Sequence, residues 1–261
     1  VNGQGKLLTH FLKNADKLVI PVYQRNYDWK EEHCKKLYSD LVKTVREGKR
    51  WHFFGGIVSV SDPMGSSSDY LVIDGQQRIT TVSLLLLAIA NLVKAGIVTP
   101  KDPNLYDVIT KKYLVDEINP KQRKMKLKPI KGDQDSYDRL WGDPSEYNQS
   151  SRITQNYLYF YNQIQRDDIS VDQLFSAVEK LQIIDITLTP PDDDPQLVFE
   201  SLNSTGLYLN EGDKIRNFVL MRRSMEEQEQ FYDDYWSPIE KNAGYDKQTN
   251  SYDVSPFIRD Y

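Results

Sequence analysis

The chain has 261 residues, of which 33 are basic and 38 acidic, for a formal net charge of −5 at pH 7. At about 100 to 200 residues per domain, that length allows one large domain or two modest ones, each able to bury a core without staples. With 39% hydrophobic and 27% charged residues, the composition excludes global disorder and collagen-like or low-complexity architectures, and the mild acidity argues against extensive nonspecific DNA binding. A single cysteine, Cys34, cannot close an internal disulfide, which points to a reducing compartment, the cytoplasm. The longest apolar stretch, Val82 to Val93, contains Ser83 and Asn91 and falls short of the about 20 residues of a membrane span, so it reads as a buried helix and no membrane partner is expected. The sequence begins at Val1 without a signal-peptide pattern and ends on SYDVSPFIRDY, a run typical of an element about to pack, so a trimmed chain with a further domain downstream is expected.

In chain order, LVIPV (18–22) reads as a short strand placed at an edge or end by Pro21. Asp28 reads as the N-cap of a helix, with Glu31 and Glu32 in its first turn, Leu37, Leu41 and Val45 at helical spacing, and Gly48 as its stop. FFGGIVSV (53–60) and YLVID (70–74) are strand-like and separated by the polar loop PMGSSSD, so they are expected to pair as a hairpin. A helix follows from Ile79 to Lys94 and closes at Gly96. A domain boundary is expected near residue 100, where proline and asparagine accumulate, giving domains 1–100 and 101–261. In 124–128, Met125 and Leu127 alternate with Lys124, Lys126 and Lys128, predicting a half-buried strand with a basic face. That face suits either a DNA backbone or a solvent-facing lysine edge that discourages aggregation. Helices are predicted at 133–141, 151–166 and 171–180, a strand at 181–188, a helix from Pro195 capped by Asp194 and ending near Asn203, and helices over roughly 210–223 and 225–240.

The most informative residues are Asp74, Gly75, Gln76, Gln77 and Arg78, because they join a strand to a helix. Gly75 permits a sharp turn and a close approach of the backbone to a ligand, while the first helical amides and the positive end of the helix dipole suit a phosphate. Arg78 adds a forked cation. Thr80 and Thr81 are unusual in an early helical turn unless their hydroxyls face a ligand or a neighbouring backbone group. The plain alternative is equally open: Asp74 caps the helix and Arg78 pairs with a surface carboxylate. The turn matches neither a P-loop nor a dinucleotide fingerprint.

The blocks IPVYQRNYDW (20–29), FFGGIVSV (53–60), YLVIDGQQRITT (70–81) and FESLNSTGLYLNEGDKIRNF (199–218) resemble the amino-terminal domain of GmrSD-type restriction endonucleases, a family of the ParB and sulfiredoxin-like superfamily with DGQQR as its hallmark. The resemblance implies an α+β fold: a small mixed sheet with helices, ParB-like, over 1–100, and a mainly helical part over 101–261 completing the site. It implies binding and hydrolysis of a nucleoside triphosphate, with Mg²⁺ expected alongside, in systems that restrict phage DNA carrying modification marks. An HNH-like nuclease domain or subunit is the expected partner, and DNA is engaged through the full-length protein. Carried over by residue, DGQQR falls on Asp74, Gly75, Gln76, Gln77 and Arg78. The first block supplies Pro21, Tyr23, Gln24 and Arg25, and the late block Asn203, Gly206, Asp213, Arg216 and Asn217.

Two expectations follow for chemistry. As an NTPase, the chain is expected to use Asp74, Gln76, Gln77 and Arg78 catalytically, with Tyr23, Gln24, Arg25, Gly75, Thr80, Thr81, Asn203, Asp213, Arg216 and Asn217 binding nucleotide and Asp213 or Asn203 orienting metal or water. The rival is a non-catalytic ParB-like module that binds DNA or recruits protein. Arg216 and Asn217 interrupt an apolar helix, where a polar pair needs partners or a ligand. Asp192 to Asp194 read as a solvated loop rather than a metal cluster. His10, His33 and His52 lack zinc spacing, and Cys34 lacks a second thiol or triad partner.

Overall fold

The computed structural model describes residues 2–61, 69–116, 124–166, 169–190, 192–204, 211–221, 223, 225–243, 245–246, 251–252 and 254–260. The loop predicted at 63–69 and the turn containing Gly206 lie essentially outside them. In chain order the elements are β1 (Asn2–Leu7), α1 (Leu8–Asn14), β2 (Lys17–Val19), α2 (Glu31–Arg46), β3 (His52–Ser61), β4 (Asp69–Asp74), α3 (Gln76–Lys94), α4 (Leu105–Ile109), β5 (Val115–Asp116), β6 (Lys124–Met125), β7 (Leu127–Lys128), α5 (Lys131–Arg139), α6 (Arg152–Arg166), α7 (Val171–Val178), β8 (Leu181–Leu188), α8 (Pro195–Ser204), α9 (Glu211–Leu220), α10 (Met225–Phe231), α11 (Ser237–Ala243), β9 (Tyr245–Asp246), β10 (Ser251–Tyr252) and α12 (Ser255–Asp260). The fold is α+β, a small mixed sheet with many helices, as the sequence led one to expect.

Two compact units divide the chain: residues 1–20 with 27–189, and residues 21–26 with 190–261. This division differs from the boundary expected near residue 100. Helices α4, α6 and α7 pack on α3, so the segment after the proline-rich stretch completes the first core instead of starting a new one.

The first unit is built on a six-stranded sheet in the order β1-β8-β3-β4-β2-β7. The expected hairpin is present, with β3 and β4 antiparallel and Val58 opposite Asp74. On its other side β3 runs parallel to β8, from His52 opposite Leu181 to Val60 opposite Leu188. Helix α3 has the length and apolarity of a membrane span, yet it is buried on nearly all sides inside this unit, which makes it a core helix.

Two local readings change. Asp28 does not cap α2, which starts at Glu31; the Lys30 amide is held instead by His33 Nδ1 at 3.0 Å, and the His33 ring stacks on Trp29. Lys126 does not join a basic face. Residue 126 breaks the predicted strand into β6 and β7, and its side chain turns inward, leaving the residue 7% exposed. Its ammonium donates to the carbonyls of Leu12 (3.2 Å), Lys13 (3.0 Å) and Lys112 (3.1 Å). Two of these belong to the last turn of α1, where carbonyls lack helical partners and cations are favoured. Burial lowers the lysine pKa, opposed by Asp16 and Asp116. Lys126→Met should therefore lower unfolding free energy by about 2 kcal/mol, the cost of leaving buried carbonyls unpaired, read by denaturant unfolding; a loss below about 0.5 kcal/mol, the surface norm, would count against the clamp.

The second unit comprises α8–α12 and the β9–β10 ribbon, with the 21–26 segment. Asp194 caps α8 as expected, its Oδ1 accepting from Gln196 N at 2.9 Å and Leu197 N at 3.3 Å, so one member of the acidic triplet is used in local structure. The helix expected over roughly 225–240 is present and passes through a π-helical turn at Tyr232–Trp236 between α10 and α11.

Candidate functional site

The DGQQR corner forms because β4 ends at Asp74 and the next residue takes a conformation that favours glycine. Gly75 has φ +95°, and a Cβ there would come within 3.1 Å of Gly56 O and of Ile57 Cγ1. A side chain would thus meet both a steric wall and an unfavourable φ. The turn delivers the chain into α3, whose ladder begins with Ile79 N–H donating to Gly75 O at 3.0 Å. Gly75, the N-cap, offers the first amides of α3 no side-chain acceptor, and the first turn has no acidic residue.

Arg78 lies across the part of β3 that β4 no longer covers. Its Nη1 donates to Gly56 O at 2.8 Å, and a Cβ on Gly55 would sit 2.6 Å from its Nε. Gly55 itself has φ +129°, so the paired glycines of FFGG serve to receive a guanidinium. Asp74 Oδ2 is 3.8 Å from Nη1, with side-chain exposures of 31% for Arg78 and 44% for Asp74. At that distance and exposure the ion pair contributes well under about 1 kcal/mol. The guanidinium remains partly open to solvent.

Gln76, Gln77, Thr80 and Thr81 are all buried. Gln77 Oε1 accepts from the amides of Asp28 (2.9 Å) and Trp29 (3.2 Å). The Thr81 hydroxyl donates to Gln77 O at 2.8 Å and lies 2.6 Å from the Tyr27 hydroxyl. Of the two options for this threonine, a backbone group is therefore the partner found. His52 faces Asp40 at 3.7 Å. Cys34 is buried, and its thiol pKa is pushed up to about 12, mainly by burial, so it is inert as a nucleophile at neutral pH.

The other expected site residues fall in the second unit. Tyr23 is buried with its ring edge-on to Phe199 of α8, and burial raises its phenol pKa. Gln24 is buried and Arg25 partly exposed. Arg216 and Asp213 are brought together: Nη2 donates to Asp213 Oδ1 at 2.7 Å, Nη1 to Glu240 Oε1 at 3.0 Å, and Nε to Tyr23 O at 2.9 Å. Glu240 also accepts from Trp236 Nε1 and the Tyr232 hydroxyl. Every edge of this guanidinium is engaged, and two carboxylates surround it, a poor setting for phosphate. Asn217 is buried beside it in sequence, with Oδ1 lacking a partner among the described residues. The side chain of Asn203 lies outside the described residues.

Sequence reasoning missed two residues next to the motif. Asp133 Oδ2 accepts from Tyr27 N at 2.6 Å, and Asn156 Nδ2 donates to Trp29 O at 2.7 Å and to the Tyr27 hydroxyl at 2.9 Å. Asn156 was visible as a polar residue beside the apolar stripe Ile153, Tyr157, Phe160 of α6; Asp133 carried no such signal. Burial raises the Asp133 pKa from 3.8 to about 6, partly offset by the Tyr27 amide. Its native-state pKa is thus above the unfolded one, so its contribution is fully present below the unfolded value and lost as pH rises through about 6. Asp133→Asn, which mimics the neutral acid, should therefore be more stable than the parent above pH 7 by on the order of 2 kcal/mol. Thermal unfolding against pH should show this gap shrinking below pH 5, and a constant gap would contradict the assignment.

Compared with known families, residues 8–220 match the family model described as the GmrSD restriction endonuclease N-terminal domain. No curated protein matches the chain. The family match spans well over half of the sequence and includes β4, the Gly75 turn, α3 and the late Asp213–Asn217 block. The chain belongs to the GmrSD restriction endonuclease N-terminal domain family, and is a module of a restriction or defence protein.

Proposed function

We propose that this module binds and hydrolyses a nucleoside triphosphate, with its phosphates at the start of α3, as the NTPase part of a cytoplasmic, modification-dependent restriction protein acting against phage. The observation that supports this reading is the part-exposed Arg78 guanidinium seated on Gly55 and Gly56 beside the glycine-led start of α3. Helix-terminal amides with a forked cation are a sufficient recognition set for a polyphosphate. In this reading Arg78 neutralises developing phosphate charge, the Gly75 turn admits the phosphate close to the backbone, and Gln76 orients the attacking water. Gln77 is less suited to that task because its carbonyl oxygen is occupied by the Asp28 and Trp29 amides.

Among the described residues no cluster of three His, Cys, Asp or Glu side chains forms a ready cage, so Mg²⁺ would arrive on the phosphates, with Asp74 the motif's own carboxylate for it. An HNH-like nuclease domain or subunit, and DNA reached through the full-length protein, are the proposed partners. The non-catalytic DNA module loses support from the inward turn of Lys126, which removes one lysine from the strand proposed to face a DNA backbone. Calorimetric titration with ATP, GTP, CTP and UTP in magnesium, followed by phosphate release, tests the reading. Heat and turnover with at least one nucleotide are expected; no heat with any, together with salt-sensitive DNA binding, would replace it with the module.

A further inference from the structure

Residues 27–30 form neither helix nor strand, so their backbone groups need partners from elsewhere. Three side chains of the first unit supply them for 27–29, and a fourth holds the Tyr27 side chain. Asp133 takes the Tyr27 amide, Gln77 takes the amides of Asp28 and Trp29 on one oxygen, Asn156 donates to the Trp29 carbonyl, and Thr81 meets the Tyr27 hydroxyl. Gln77 and Thr81 are one turn apart on α3 and joined by the hydrogen bond from the Thr81 hydroxyl to Gln77 O. Arg78 follows Gln77, about 100° round the helix, and reaches Gly56 instead. One helical turn therefore carries both the cation of the corner and the anchor of 27–29.

We propose that Gln77 is a positioning residue that couples the first turn of α3 to the 27–29 segment, so that an anion at the corner and the order of that segment stabilise each other. The identity of the ligand rests on the nucleotide reading; the anchor does not. A single side-chain oxygen accepting two adjacent amides is a strict geometric link: moving Gln77 strains or breaks both bonds together. Coupling of this kind is reciprocal. A helix start that tightens on a polyanion should slow opening of 27–29, and loosening 27–29 should free the turn.

The test is amide hydrogen exchange at Asp28 and Trp29 in the parent, Gln77→Leu and Gln77→Glu, each with and without magnesium tripolyphosphate. Without ligand, Gln77→Leu should exchange at least about tenfold faster at both amides, a loss of roughly one buried hydrogen bond, while Gln77→Glu, whose carboxylate still accepts both, should stay near the parent. With the polyphosphate, exchange should slow severalfold in the parent and in Gln77→Glu but not in Gln77→Leu, a response that a purely structural role would not abolish selectively. If Gln77→Leu does not fold, Gln77→Asn, one methylene short of the amides, replaces it. Unchanged exchange at both amides in the unliganded variant overturns the anchor. Polyphosphate that binds yet leaves parent exchange unaltered, or slows Gln77→Leu equally, overturns the coupling. Failure of polyphosphate to bind the parent sinks the phosphate reading of the corner and with it the coupling, whereas the anchor is still decided by the unliganded comparison.

Discussion

Replacing Arg78 by alanine should reduce nucleotide turnover by about 100-fold or more, the usual cost of deleting a preorganised donor to transition-state charge, with little change in stability. The structural reason for the second half of that expectation is specific. Among the described residues Arg78 makes one hydrogen bond to a carbonyl and one loose contact with Asp74, and its side chain is 31% exposed, so its loss should cost no more than about 1 kcal/mol. Activity and stability are thus expected to separate, which is the signature of a residue held for a ligand. Gly55→Ala provides an independent check, because its Cβ would collide with the guanidinium rather than remove it. Both variants should lose turnover; an Arg78→Ala protein with parental turnover would remove the corner from the mechanism.

Arg216→Ala should behave in the opposite way, lowering the stability of the second unit by about 3 to 4 kcal/mol. Its side chain is 10% exposed, and all three of its nitrogens donate to Tyr23 O, Glu240 and Asp213. Deleting it leaves Asp213 and Glu240, both mostly buried, facing one another without their shared cation. The Tyr232 and Trp236 donors to Glu240 soften the penalty without cancelling it. A double-mutant cycle with Glu240→Gln, read by unfolding in denaturant, should show strong coupling between the two positions. If Arg216→Ala unfolds at the parental denaturant concentration but loses nucleotide, the residue belongs to the ligand, as the sequence suggested, and the structural assignment is wrong.

The contrast between these two arginines shows how far sequence carried. Both sit in motif blocks next to an amide residue and an isoleucine, Gln77 and Ile79 or Ile215 and Asn217, and local pattern does not distinguish them. Their roles diverge because Glu240 arrives from 24 positions downstream to neutralise one, while among the described residues the other meets backbone and a distant carboxylate. The β3–β4 hairpin, the Gly75 turn, α3 and β8 were legible because periodicity and punctuation agree there. Strand β1 was not, since NGQGKL has two glycines and no β-branched residue and becomes a strand by pairing with β8, from Asn2 opposite Thr187 to Leu7 opposite Gln182. Lys126 misled for the same reason: alternation assigns a residue to a face, but three carbonyls collected from α1 and the turn after α4 decided where its ammonium went. Gln77 was legible as a motif residue, and only the structure shows what its oxygen holds.

The central claim is that phosphate oxygens sit at the first turn of α3. A crystal structure of the chain with a non-hydrolysable triphosphate and magnesium tests it most directly. Phosphate oxygens are expected within hydrogen-bond distance of the Gln76 amide and the Arg78 guanidinium, with the Asp74 contact released. A triphosphate bound elsewhere, with Arg78 still on Gly56 and Asp74, would contradict it.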